Sequence, residues 1–113
     1  FWVERERRTE FPLASDARRA AWAWRRYASA VLAAGSDRVL EVRYERLSAD
    51  PDGVADELAA FLQTPQAPLA ASLRAAHGTS VGRWRRELTE EQLADVLAES
   101  AELLTKLGYL QNG

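Results

Sequence analysis

The stretch from His77 to Arg86 holds the densest set of groups that could do chemistry. It reads His77-Gly78-Thr79-Ser80-Val81-Gly82-Arg83-Trp84-Arg85-Arg86. Gly78 and Gly82 would let backbone N–H groups approach an anion closely. Thr79 and Ser80 can donate hydroxyl hydrogen bonds, and Arg83, Arg85 and Arg86 can add charge-assisted ones. Trp84 could hold the segment on a core or stack on a base. The chemistry these types suit is the holding of a phosphate-like anion. The competing reading is an ordinary interhelix loop with solvated arginines.

Elsewhere the inventory is thin. The chain has no Cys and a single His, which leaves no thiolate metal site, no cysteine nucleophile and no multi-histidine site. Asp16, Glu41, Glu45 and His77 are not placed by any spacing argument as a catalytic base. Glu45 reads as a polar structural residue.

The loop must be positioned by its neighbours. Ser15 or Asp16 is a candidate N-cap for a helix in which Ala17, Ala21, Trp24, Ala28 and Val31 recur at helical spacing, with Gly35 as its stop. Trp22 points nearly opposite Trp24, so it must meet another element or mark a surface that something else buries. Upstream, Pro12 disfavours helix at Phe11. In Arg38-Val39-Leu40-Glu41-Val42-Arg43-Tyr44 the apolar Leu40, Val42 and Tyr44 alternate with Glu41 and Arg43, which predicts a half-covered strand over 38–44. One strand cannot satisfy its own backbone groups, and the sequence offers no second convincing strand. Asp50-Pro51 then predicts a cap and first helical residue. Val54, Leu58, Phe61 and Leu62 follow on one stripe, in a helix ending before Pro65. Pro68 is expected to open a short helix carrying Leu69 and Leu73. Thr89 and Gln92 form a capping box, and Leu88 with Leu93 forms a hydrophobic staple. Leu93, Val96, Leu97, Leu103, Leu104 and Leu107 make the buried stripe of the last helix, which Gly108 ends.

With 113 residues and 47% apolar content, the chain is long and apolar enough for one small folded domain. Fifteen basic against seventeen acidic residues give a net charge of -2, which argues against a general nucleic-acid binder. Lys106 is the only lysine. This Arg-rich, Ala-rich composition fits a GC-rich bacterial coding sequence. No apolar run approaches the ~20 residues of a membrane span, and no signal peptide is visible. The expectation is a cytoplasmic protein. Because the sequence opens on Phe1 rather than Met, residue 1 is not expected to be a natural start.

Three stretches, taken together, resemble the C-terminal part of a bacterial-type sulfotransferase that uses 3′-phosphoadenosine-5′-phosphosulfate (PAPS). The first is Ala21-Trp22-Ala23-Trp24-Arg25-Arg26-Tyr27. The second is Arg38 to Pro51, with Tyr44-Glu45-Arg46-Leu47 and Asp50-Pro51. The third is Ser80-Val81-Gly82-Arg83-Trp84-Arg85, followed by a helix ending Leu107-Gly108-Tyr109. They cover most of residues 20–110. Cytosolic members carry Arg-Lys-Gly where this chain has His77-Gly78-Thr79, and the acidic residue usual after Tyr44-Glu45 is Arg46.

The resemblance implies a fold that is α/β by ancestry, P-loop-like, of which this chain would be mostly α-helical with one strand near 38–44. Residues 1–113 would then be a partial, C-terminal domain, with the N-terminal phosphosulfate-binding half and the catalytic base outside it. No Gly-x-x-x-x-Gly-Lys motif occurs. The parent reaction would move a sulfuryl group from PAPS to a hydroxyl or amine, with no metal, and the isolated chain would be inactive. Ser80, Gly82 and Arg83 would face the 3′-phosphate of PAPS or its product nucleotide, Trp84 would anchor the loop, and Arg85 would be a weaker second contact. No catalytic residue is assigned. The rival expectation is a helical protein–protein interaction module that has lost catalysis and buries a partner or a second copy on exposed apolar surface around Trp22 and Leu40; besides the nucleotide, self-association or the N-terminal half are the expected partners. Neither nucleic acid nor membrane is an expected partner.

Overall fold

The computed structural model describes residues 2–110. In chain order it contains α1 (Asp16–Ala34), α2 (Tyr44–Ala49), α3 (Pro51–Leu62), α4 (Gln66–Leu73), α5 (Trp84–Glu87) and α6 (Glu90–Lys106), preceded by 3-10 turns at Arg5–Arg7 and Phe11–Leu13. The described residues are mostly helical and contain no strand. They form two compact units, one from the residues up to Gly35 together with those from Leu88 onward, the other from Ser36–Glu87.

The first unit is built on α1 and α6. Ser15 starts α1: its Oγ accepts from the Arg18 N–H at 3.1 Å and donates to Asp95 Oδ2 at 2.6 Å, which ties the helix start to α6. Gly35 ends α1 at φ +49°, a conformation that favours glycine. At the start of α6 the Thr89–Gln92 capping box is fully formed. The chain leaves that helix through Gly108 at φ +85°, with the Tyr109 N–H returning to the Leu104 carbonyl at 2.8 Å.

The buried face of α1 differs from its apolar stripe. Ala21 and Trp22 are buried, whereas Trp24 and Val31 are exposed. The N-terminal segment causes this by folding onto Trp22. Phe11 meets the indole edge-on at 5.4 Å, and the Arg7 guanidinium lies 3.8 Å from the ring centroid. Trp22 Nε1 donates to Glu4 Oε2 at 2.6 Å. Phe11 itself starts a 3-10 turn despite the following Pro12, whose missing N–H falls in the first turn where no intrahelical partner exists. Between α1 and α6 runs an apolar groove of about 330 Å³, lined by Ala17, Trp24, Leu88, Val96 and Leu104 among others.

Charge holds the same unit together. The Glu99 side chain is only 2% exposed, and three arginines reach it. Arg7 Nη1 donates at 3.1 Å, Arg18 Nε at 2.9 Å and Arg25 Nη2 at 3.4 Å. Arg25 also donates to Glu4 at 2.7 Å, and Arg7 to Glu10 at 2.8 Å. Burial pushes the Glu99 carboxyl up, but hydrogen bonds from Arg7 and Arg18 outweigh it and hold it below its ordinary range. The same opposition acts at Glu4. Burial raises its pKa, while the bonds from Arg25, from its own backbone and from Trp22 bring it down from 4.5 to about 2.

These depressed carboxylates set the acid limit of the unit. A folded-state pKa below the unfolded one stabilises the native state at pH above the unfolded value, and that stability disappears as pH falls through the folded value. For Glu4 the window runs from 4.5 down to about 2. Its contribution at pH 7 is at most about 3 kcal/mol. Thermal melts followed by circular dichroism should show the midpoint dropping across that window, and Glu4→Gln should flatten the drop. An unchanged pH profile in Glu4→Gln would show that Glu4 does not set it.

The second unit has a thin core of small residues: Val54, Ala55 and Ala59 of α3 and Ala70 of α4 are buried. Their size lets the two helices approach closely, while Phe61 and Leu62 of the anticipated stripe stay exposed. Asp50 caps α3, accepting from the Gly53 N–H at 3.1 Å, with Pro51 at the first position. A Cβ at Gly53 would fall 2.1 Å from the Asp50 carboxylate, so glycine there lets the cap close. Arg46 donates to Glu57 at 2.8 Å and to Asp50 at 3.1 Å, which pins α2 against α3. α4 begins at Gln66, immediately after Pro65, and Pro68 sits inside its first turn rather than opening it.

The strand expected over 38–44 is not formed. Residues 39–43 are neither strand nor helix, and Tyr44 begins α2. The alternation of Leu40, Val42 and Tyr44 provides two faces but no ladder partner. From Arg43 on, the backbone finds its partners locally, with the Arg46 N–H bonding the Arg43 carbonyl at 3.0 Å.

Candidate anion-binding loop

All five residues expected to meet the nucleotide fall in one short stretch of the second unit, at the end of a series of turns and in α5. The Val81 N–H bonds the Gly78 carbonyl at 3.1 Å, the Arg83 N–H bonds Ser80 at 3.2 Å, and the Arg85 N–H bonds Gly82 at 3.1 Å. Each turn therefore satisfies its own amide. The amides of Val81, Arg83 and Arg85 are thus engaged within the turns.

The glycines have other roles. Gly82 adopts φ +74°, which a residue with a side chain rarely takes. A Cβ there would also stand 3.1 Å from Arg85 Nη1. Gly78 passes close to α2, where a Cβ would lie 3.0 Å from Ser48 Oγ. His77 Nδ1 and Thr79 Oγ1 share a hydrogen bond of 2.7 Å.

Ser80 is half-buried, and Arg83, Trp84 and Arg85 are exposed. Trp84, expected to anchor the loop, is 47% exposed, and its ring lies 5.0 Å from the Arg85 guanidinium carbon. Arg83 Nε donates to Glu87 Oε1 at 2.5 Å, one helical turn along. Sequence reasoning missed Glu87, although its i,i+4 spacing from Arg83 is a readable signal for such a pair. Of the acids weighed as bases, Glu41 accepts from Arg43 at 2.8 Å, and Asp16 is paired with Arg19. Arg46, where the sulfotransferase pattern has an acid, makes the α2–α3 ion pairs, and Glu57 with Asp50 raises its pKa further.

The stretch carries a hydroxyl and exposed guanidinium groups, the side-chain types that hold tetrahedral anions. Among the described residues no group of three or more His, Cys, Asp or Glu side chains could hold a metal ion, and no helix is long and apolar enough to cross a membrane. No family model, curated protein or solved structure matches the chain.

Proposed function

We propose that this chain is the C-terminal segment of a PAPS-dependent sulfotransferase and that its loop over 80–85 holds the 3′-phosphate of the nucleotide. The observation that carries this reading is the Gly82 turn, with the Arg85 guanidinium against it and beside Trp84, and with Ser80 and Arg83 in the same turns. A dianionic phosphate calls for such hydroxyl and guanidinium donors. The Asp50-Pro51 cap directly after the Tyr44–Ala49 helix supports the same reading, because it reproduces the order of the resembling stretches.

In such an enzyme the acceptor oxygen or nitrogen bonds to sulfur as the bond from sulfur to the bridging oxygen of PAPS breaks; the acceptor's proton passes to a base and the bisphosphate nucleotide leaves. Ser80, Arg83 and Arg85 would hold the nucleotide's far phosphate and so fix the sulfuryl group by position. On this reading none of these residues supplies the phosphosulfate loop or the catalytic base, so the isolated chain should bind without turning over.

Calorimetric titration with adenosine 3′,5′-bisphosphate and with 5′-AMP tests this. The bisphosphate should bind at least about tenfold tighter, the worth of one or more charge-assisted hydrogen bonds to the 3′-phosphate. Equal affinities, or no binding by a chain whose circular dichroism shows it folded, would remove the reading. The second reading, an interaction module, is favoured by the exposed apolar residues Trp24, Tyr27 and Val31 along α1. Concentration-dependent self-association without nucleotide affinity would put it first.

A further inference from the structure

The two arginines that flank Trp84 stand in different states. Arg85 lies beside the Trp84 ring, and its Nη1 occupies the space that a side chain at Gly82 would take. Among the described residues no carboxylate pairs with it, so its charge is available at the turn. Arg83 is committed, because Nε is bonded to Glu87. That pair spans one turn of helix, closed by the Glu87 N–H on the Arg83 carbonyl at 3.2 Å, and both side chains are more than half exposed.

We propose that Arg85 is the standing anion contact of this loop and that Glu87 is an internal competitor, holding Arg83 until an anion displaces it. This rests on the loop being an anion site, and it reverses the order of the two arginines that the sequence implied. The physical basis is a difference in what each contact replaces. Arg85 gives an incoming phosphate a charge-assisted bond without first losing one. Arg83 must exchange a carboxylate for a phosphate, so its net gain is small. Glu87 thereby sets the affinity of the site from outside it, and a change that neutralises this carboxylate would tighten binding.

The test is an NMR titration of the full chain, following the Trp84 indole N–H and the backbone amides of 80–87, with inorganic phosphate and with adenosine 3′,5′-bisphosphate as probes. Arg85→Ala should weaken binding about tenfold or more. Arg83→Ala should weaken it by a smaller factor. Glu87→Gln should tighten it about two- to fivefold, the range of an exposed ion pair, and should keep the helical pair's shape. Removing a negative charge could also favour any anion through the local field. The double variant separates the two causes: the gain from Glu87→Gln should vanish in the Arg83→Ala background if Glu87 acts through Arg83. A gain that persists there, no gain from Glu87→Gln alone, or an Arg83→Ala loss matching that of Arg85→Ala would each overturn the proposal. Equal binding of the two probes would remove the nucleotide reading and leave the order of the arginines measurable with phosphate. Absence of binding to either probe would remove both.

Discussion

Glu99→Ala is expected to destabilise the α1–α6 unit by about 3 kcal/mol, the low end of what breaking a buried ion pair costs. The substitution removes the carboxylate that Arg7, Arg18 and Arg25 share. Three guanidinium groups would then face one another around an apolar methyl, with only Glu4 and Glu10 left as counter-charges. The low end is appropriate because the arginine side chains remain 22 to 33% exposed and water can partly solvate them. Urea unfolding, with hydrogen exchange of the α1 and α6 amides as a local readout, checks this. Glu99→Gln separates charge from shape, since it keeps the volume and some hydrogen bonds but not the charge, and it should cost nearly as much. A loss below about 1 kcal/mol in both variants would place Glu99 with ordinary surface ion pairs and would contradict the role given to it.

Trp22→Ala should cost about 4 kcal/mol, within the range for emptying a fully buried tryptophan. The indole is wholly inaccessible, is packed by Phe11 and the Arg7 guanidinium, and donates to Glu4. Its removal opens a cavity and releases the N-terminal segment, whose other hold on α1 includes Arg26 Nε bonding the Trp2 carbonyl at 2.5 Å. Trp22→Phe keeps most of the apolar volume but leaves Glu4 one donor short, and should cost about 2 kcal/mol, the value of a hydrogen bond to a charged group. The two variants should therefore differ by about twofold in lost stability in urea titrations. Equal losses would mean that the hydrogen bond to Glu4, not the packing of the ring, holds the segment. In a unit this small such a loss is a large share of the total stability, so protection of the Val3 to Leu13 amides should collapse first.

Elements whose cause is local were legible in the sequence. Ser15 and Gly35 bound α1, Asp50 and Pro51 open α3, and Thr89 with Gln92 opens α6, because each of these signals acts within one turn of backbone. The placing of Ser80, Gly82, Arg83, Trp84 and Arg85 in one stretch was equally legible, since they are neighbours in the chain. The strand at 38–44 was not, because alternation states which faces a segment could offer and says nothing of whether a ladder exists to receive it. That Trp22 meets another element was one of the two outcomes the sequence left open, but which element it meets was not legible. It depends on the segment from Trp2 to Leu13 folding across the helix, a contact 11 to 18 residues away in sequence.

The amino-acid sequence by itself determined the limits of α1, the starts of α3 and α6, the arginine-based charge pattern and the stretch in which an anion site could form. The tertiary structure alone decided which arginines are engaged. Arg7, Arg18 and Arg25 lie far from Glu99 along the chain, yet they converge on it because the N-terminal segment, α1 and α6 meet there. A guanidinium's partner is set by distance in space, over which electrostatic attraction acts, and residue types along a chain do not encode that distance.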